Sequence, residues 1–228
     1  MRKSKQSVLL GMSGGVDSST AAYLLKKQGF NVTGITLAMF NENDSDFQKN
    51  VKDAKDTCKL LNIPYLVFNV EKDFKKYVVD YFISEYENGR TPNPCVICNR
   101  FVKFEGLLLK ADELGIKYIS TGHYASVEGK NGKYLLKKGI DEKKDQSYFL
   151  YNLTQKQLSR SIFPLGQYTK KQVRDIAQKA KLPVSHKSES QEICFIKDNN
   201  YKKFINEHKT KNMPKGEFVD SKGNVLGY

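Results

Sequence analysis

The chain has 228 residues, 38 Lys and Arg against 25 Asp and Glu, and a formal net charge of +13, enough for one large domain, or one domain and part of another, with a substantial core. No apolar run approaches the roughly 18 residues of a membrane span, and the basic start, Met1 to Gln6, leads into a strand and not into a signal peptide, so a soluble, cytoplasmic protein with no membrane partner is expected. The positive excess favours a polyanionic partner, nucleic acid ahead of anionic membrane.

Val8, Leu9 and Leu10 form a short apolar run that suits a buried strand of a parallel sheet. Gly11, Met12, Ser13, Gly14, Gly15, Val16, Asp17, Ser18 and Ser19 then turn the chain into a helix. The glycine pair allows close backbone approach, the first helical N–H groups attract an anion, and the serines add hydroxyl donors. Asp17 adds a carboxylate that could hold Mg2+ against phosphates. The GxxxxGK[ST] pattern is absent, so this is a different phosphate cradle. SGGVDS resembles the PP-loop of ATP pyrophosphatases, which cleave ATP to AMP and pyrophosphate while adenylating a carbonyl oxygen.

The first half of the chain alternates strand and helix. A helix over about Asp17 to Gln28 stops at Gly29. Val32 to Phe40 reads as a strand, and a polar link from Asn41 to Asp46 leads to a helix carrying Val51, Ala54, Cys58 and Leu61 on one side. Cys58 is assigned to the core. Pro64 to Val70 is a third strand and Asp73 to Tyr86 a helix. This order implies an α/β fold with a doubly wound parallel sheet, whose ligands lie beyond the carboxyl ends of the strands.

Cys95, Cys98 and Cys194, in a chain without an export signal, point to thiol chemistry or metal binding over a disulfide scaffold. Pro92 and Pro94 hold Asn93 extended and forbid helix there. They are expected to present Cys95 and Cys98 at the end of a stiff loop, with Cys98 near the first turn of the next helix, where the dipole would lower its pKa. Two small loop residues without function are the plainer alternative. Zinc is disfavoured, because no second CxxC or paired histidines follow.

Tyr118 to Thr121 reads as a fourth strand ending at Gly122 and His123, where the glycine would admit a nucleotide and the histidine would touch substrate or serve structure alone. Ala125 to Lys137 suits a hairpin turned at Asn131 and Gly132. Lys143, Lys144, Asp145, Gln146 and Ser147, ahead of Tyr148, Phe149 and Leu150, read by themselves as a solvated helix start. Thr169 and Gln172 predict a capping box opening a helix that ends at Leu182-Pro183. Lys170, Lys171, Arg174, Lys179 and Lys181 form its outer face, either solvated or set against a phosphate backbone.

Six stretches occur in one order: SGGVDS at Ser13 to Ser18, TPNPCVICN at Thr91 to Asn99, TGHYA at Thr121 to Ala125, KDQSYFL at Lys144 to Leu150, FPLG at Phe163 to Gly166, and SQEICFI at Ser190 to Ile196. Together they resemble the tRNA 2-thiouridylase family, MnmA, over about Val8 to Ile196. The resemblance implies ATP-dependent replacement of the C2 oxygen of a wobble uridine by sulfur. It implies a persulfide on Cys194, a nucleophile at Cys98, and a disulfide between the two closing the cycle. Gly11 to Ser18, Leu37 and Gly122 fall at its ATP-binding positions. Asn93, Pro94 and Cys95 match the loop meeting the target base, and Lys144, Asp145 and Gln146, with His123, the tRNA contacts. Partners would be tRNA and a sulfur donor, a cysteine desulfurase or persulfide relay protein. Residues 1–205 would be the PP-loop domain, with a helical tRNA-binding extension at about 145–205, and residues 206–228 the start of a central domain cut short.

Cys95 stands where many members carry aspartate. With it present, Cys95, Cys98 and Cys194 could alternatively hold a [4Fe-4S] cluster. Two further readings are a PP-loop amidating synthetase and a non-catalytic RNA-binding module with a relict nucleotide site.

Overall fold

Val8, Leu9 and Leu10 are wholly buried because the strand they form, β1 (Ser7–Gly11), lies at the centre of a five-stranded sheet covered on both faces. The computed structural model describes residues 6–39, 44–188, 193–196, 199–211 and 216–228. Phe40, Asn41, Ser190, Gln191, Glu192 and Pro214, to which the sequence assigned parts of a strand, a link, a motif and the C-terminal segment, lie outside the described residues.

In chain order, β1 is followed by α1 (Val16–Lys27), β2 (Asn31–Ala38), α2 (Ser45–Leu60) and β3 (Tyr65–Asn69). A helical stretch then comprises α3 (Glu71–Phe74), a π-turn over Lys75–Val79 and α4 (Asp80–Glu87). A second comprises α5 (Pro94–Cys98), a π-turn over Asn99–Phe104 and α6 (Glu105–Glu113). After β4 (Tyr118–Ser120) come the hairpin strands β5 (Ala125–Lys130) and β6 (Lys133–Lys138), a 3-10 turn at Ser147–Leu150, α7 (Gln155–Arg160), β7 (Ser161–Ile162) and a 3-10 turn at Pro164–Gln167. The chain continues through α8 (Lys170–Lys179), α9 (Tyr201–His208) and the short exposed pair β8 (Phe218–Val219) and β9 (Val225–Gly227).

The sheet order is β3-β2-β1-β4-β7, and every pairing is parallel. Leu9 pairs with Thr33 on one side and Ile119 on the other. Strands progress outward from β1 in one direction to β3 and then resume on its other flank with β4, so the switch point of this doubly wound sheet lies between β1 and β4. Strand alternation sends Val8 and Leu10 to the layer containing α1, α2 and α8, and Leu9 to the layer containing α6 and Leu158 of α7. No helix among the described residues is long and apolar enough to cross a membrane.

Most expected elements are present within a residue or two. Asn131 and Gly132 both have positive φ, 51° and 73°, as the hairpin turn requires. Cys58 is a core residue: a Cβ on Gly34 would stand 2.7 Å from its sulfur, and burial pushes its thiol up to about 12. One expectation fails. Pro94 does not forbid helix, because at the first helical position its missing N–H costs nothing and its φ suits the turn; Asn93 caps that helix, accepting from Val96 N at 3.4 Å. The fifth strand, β7, has only two residues and left no periodic signal.

Candidate active site

The cradle after β1 is fastened before it turns. Met12 N donates to Ile35 O and Thr36 Oγ1 donates to Met12 O, both at 2.7 Å, and Tyr65 Oη donates to Thr36 Oγ1 at 2.7 Å. Gly14 then adopts φ +70°, and a Cβ there would meet Asn50 O at 2.3 Å, so only glycine fits. Gly15 is the extended N-cap of α1 and no side chain caps the helix, which leaves its first N–H groups to an anion. Ser13 and Ser18 line the turn with hydroxyls 3.2 Å apart, and Ser18 Oγ accepts from Ser13 N at 3.1 Å.

Two lysines from distant parts of the chain reach this turn. Lys170 Nζ lies 2.7 and 2.8 Å from the two carboxylate oxygens of Asp17, and Tyr124 Oη donates to Oδ1 at 2.8 Å. Lys187 Nζ donates to Gly14 O at 3.0 Å, Asn50 Oδ1 at 2.8 Å and Asp53 Oδ2 at 2.5 Å. The expectation that Lys170 belongs to an outer, solvated or RNA-facing row is therefore corrected. As the first residue of α8 it points back along the axis onto Asp17, and its side chain is only 11% exposed. Arg174 also turns toward its own domain, donating to Lys187 O at 3.4 Å.

Asp17 keeps a third of its side chain exposed. A carboxylate so placed fits a role in holding Mg2+ beside bound phosphates, with Lys170 and Tyr124 as its present partners. Gly122, across the switch point, is needed for packing: a Cβ would lie 2.8 Å from Ser18 N and 2.9 Å from the Asp17 carbonyl carbon. Leu37 is half-buried on β2, facing Gly106.

The thiols form the second half of the site. Cys98 is buried at the end of α5, whereas Cys95 and Cys194 are exposed. The three interact electrostatically with one another and with Lys103, which extends from the π-turn after Cys98. Burial is the main cause that lifts Cys98 to about 11, against the opposing pull of the Lys103 ammonium. The expected lowering of this pKa is thus overturned: Cys98 is the last residue of α5 and not at its start, and desolvation outweighs the neighbouring cation. Cys194, although its surface is exposed, is flanked by enough protein for desolvation to raise it as well, against the pull of Lys103. Burial works against the charge of Lys103, but the attraction of Cys98, Cys194 and Cys95 outweighs it and holds the ammonium above its ordinary value.

Among the described residues no group of three or more His, Cys, Asp or Glu side chains is placed to hold a metal ion. His123 bonds to Thr121 Oγ1 through Nδ1 at 2.8 Å and sits between the rings of Phe104 and Phe163. Burial, with help from Lys103, drops it to about 3, so it is a neutral imidazole at physiological pH.

In the KDQSYFL stretch, Asp145 accepts from Gly139 N at 2.9 Å and from Ser147 Oγ at 2.7 Å, while Gln146 Oε1 accepts from Tyr124 N at 3.0 Å. Both build the turn from within, and Lys144 is half-buried beside them. Asn99, next to Cys98, donates through Nδ2 to Phe149 O at 3.0 Å; its Oδ1 is buried and finds no partner among the described residues. Lys103, Tyr124 and Lys187 escaped the sequence reading. Tyr124 lies inside TGHYA and Lys187 just ahead of SQEICFI, so only motif proximity could have flagged those two.

Residues 6–198 match the family described as the tRNA methyl transferase HUP domain. A tRNA-specific 2-thiouridylase MnmA 1 from Caldanaerobacter subterraneus subsp. tengcongensis is 54% identical over 97% of this chain and 64% of its own length. A tRNA-specific 2-thiouridylase MnmA 2 from Clostridium tetani is 49% identical over 98% of this chain and 64% of its own. The chain thus spans just under two thirds of the curated relatives it matches. In fold it is similar to a U34-tRNA thiolase, NcsA from Methanococcus maripaludis, solved with its [4Fe-4S] cluster (TM-score 0.54, 20% identity, 90% of this chain and 64% of that one). It is also similar to an NMN synthetase from Francisella tularensis (TM-score 0.51, 17% identity, 82% and 67%).

Proposed function

The chain belongs to the MnmA family of tRNA-specific 2-thiouridylases, and from that premise we propose that it replaces the C2 oxygen of a tRNA wobble uridine with sulfur at the expense of ATP. The observation that carries the reading is that Phe195, the neighbour of Cys194, packs against the buried cluster that contains Cys98, which brings two thiols far apart in sequence to one region of a domain that also holds an anion cradle at its switch point. A PP-loop amidating synthetase has no need of the paired thiols, and a relict binding module has no need of either.

The uridine O2 is a poor leaving group, and its attack on the α-phosphate of ATP expels pyrophosphate and converts it to an adenylate. The α1 N–H groups, Ser13, Ser18 and the Lys170 ammonium hold the phosphates, and their fixed dipoles meet charge as it develops on the departing pyrophosphate. Magnesium held at Asp17 would supply further shielding of the same charge. A cysteine desulfurase or a persulfide relay protein loads Cys194 with a terminal sulfur. That sulfur attacks C2, AMP leaves, and the base is joined to Cys194 through S–S. Cys98, as thiolate, then attacks the Cys194 sulfur; the S–S bond to the base breaks, 2-thiouridine departs, and a Cys98–Cys194 disulfide remains for an external dithiol to reduce. Lys103 stabilises each thiolate as it forms.

Asn93, Pro94 and Cys95, at the start of α5, would meet the target base, with Cys95 exposed, Asn93 half-buried and Pro94 buried beneath them. The decisive experiment incubates unmodified tRNA with the chain, Mg-ATP and a persulfide source, followed by mass spectrometry of the nucleosides. The expected outcome is one oxygen exchanged for sulfur in a wobble uridine, with AMP and pyrophosphate formed only when RNA is present. RNA-independent ATP turnover, or none, without sulfur incorporation would overturn the reading.

A further inference from the structure

We propose that Tyr148 and Tyr151 form a stacking platform for unpaired bases of an RNA loop, set beside the reacting thiol; the proposal rests on the tRNA reading above. Tyr148 is 63% and Tyr151 66% exposed, and their rings lie 6.1 Å apart with a 47° tilt. Large aromatic faces left in water are an unfavourable arrangement, and this chain buries Phe74, Phe82 and Phe104 completely or nearly so. A pair of neighbouring exposed rings is a surface that an occupant would cover.

The platform has a fixed position relative to Cys98. Asn99, the residue after it, donates to Phe149 O at 3.0 Å, and Arg100 Nη1 donates to Asn152 Oδ1 at 2.6 Å. Buried Gln157 closes the loop by donating to Arg100 O at 2.8 Å, while Leu150 anchors the turn in the core. The turn carrying the tyrosines is thus clipped at two points to the residues that follow the thiol.

Charge selects the occupant. Lys143 and Lys144 precede the turn, and Arg100 lies over the Phe101 ring at 4.8 Å, with Phe101 stacked on Tyr77 beneath Lys76. Asp145 is already engaged with Gly139 and Ser147. Rings flanked by cations on a chain of net charge +13 suit a polyanion that also offers π-faces, which is single-stranded nucleic acid. Stacking on a side chain needs a base that is not already stacked in a duplex, so the ligand is a loop. In this account Asp145 and Gln146 shape the turn, and the rings that follow them touch the RNA.

The test uses the full chain and a synthetic anticodon stem-loop with 2-aminopurine in its loop, read by fluorescence titration; the protein has no tryptophan to interfere. Tyr148→Ala and Tyr151→Ala are each expected to weaken binding roughly 5- to 100-fold. The Phe variants should bind as wild type, and the salt slope should not change for either substitution, since no phosphate contact is lost. Undiminished binding by the Ala variants would overturn the platform and leave the tRNA reading standing. Equal losses in the Phe and Ala variants would overturn it too, because the hydroxyls and not the ring faces would then make the contact. If wild type fails to bind the stem-loop, the platform and the tRNA reading fall together.

Discussion

The anion cradle and the thiol site solve opposite problems. In the cradle, backbone geometry does the work: Gly14 combines a positive φ with a Cβ clearance of 2.3 Å from Asn50 O, which only glycine accommodates, and Lys187 and Asn50 fasten the turn from outside. At the thiols no glycine is required: Cys98 ends a one-turn helix that passes into a π-turn, and its behaviour comes from burial and from a lysine five residues along. Such a cradle tolerates almost no change at its glycines, whereas the thiol site should respond in graded fashion to charge and pH.

The largest effect is expected at the thiols themselves. Cys98→Ser should abolish release of 2-thiouridine while AMP still forms, which nucleoside mass spectrometry beside an AMP assay would read directly; loss of both products would mean that the two regions are not separable. Next comes Gly14→Ala, for which ATP–pyrophosphate exchange should fall about 100-fold or more, because the new Cβ must push Asn50 aside in a left-handed conformation. If exchange survives, the cradle is more plastic than its geometry suggests. Lys170→Met removes the cation on Asp17 and should raise the KM for ATP by roughly tenfold, the scale of one charge-assisted contact; an unchanged KM would assign Lys170 to stability alone.

The thiol site carries a pH signature. With Cys98 at about 11, its thiolate is a minor species near neutrality, so single-turnover release should rise close to tenfold per pH unit through the neutral and mildly alkaline range. Lys103→Met should shift that profile to still higher pH, since the one opposing cation is gone. His123 gives a separate readout in stability. Its folded pKa of about 3 lies below the unfolded value near 6.5, so on acidification the unfolded chain takes up a proton that the folded chain refuses. Stability should therefore fall as pH drops from about 6.5 toward 3, by at most about 2 kcal/mol at pH 5, and His123→Gln should flatten the slope in urea titrations. The smallest effect belongs to neither region: Thr169→Ala, which removes the capping box of α8, should cost about 1 kcal/mol of stability.

The two regions also differ in how far they can be read from sequence. A strand, a glycine turn and a helix start are local, so Val8 to Ser19 announces itself, as do the hairpin turn at Asn131-Gly132 and the capping box at Thr169. Burial is a property of the assembled fold. The expectation of an activated Cys98 came from local helix logic and failed because Val102, Val78 and Phe74 close over that part of the chain. Lys170 misled for a related reason. Its spacing within α8 marks it as surface, and only the docking of α8 on α1 turns it onto Asp17. Salt bridges across more than a hundred residues have no period to find.

Lys187 gives the architecture a further meaning. Its ammonium is moored to the cradle, and seven residues later in the chain comes Cys194. A stretch of that length spans at most about 25 Å. The thiol that would carry the sulfur is thus kept on a short leash from the phosphate site. Under the proposed reaction, a delivery protein would load Cys194 within about 25 Å of the turn that holds the phosphates.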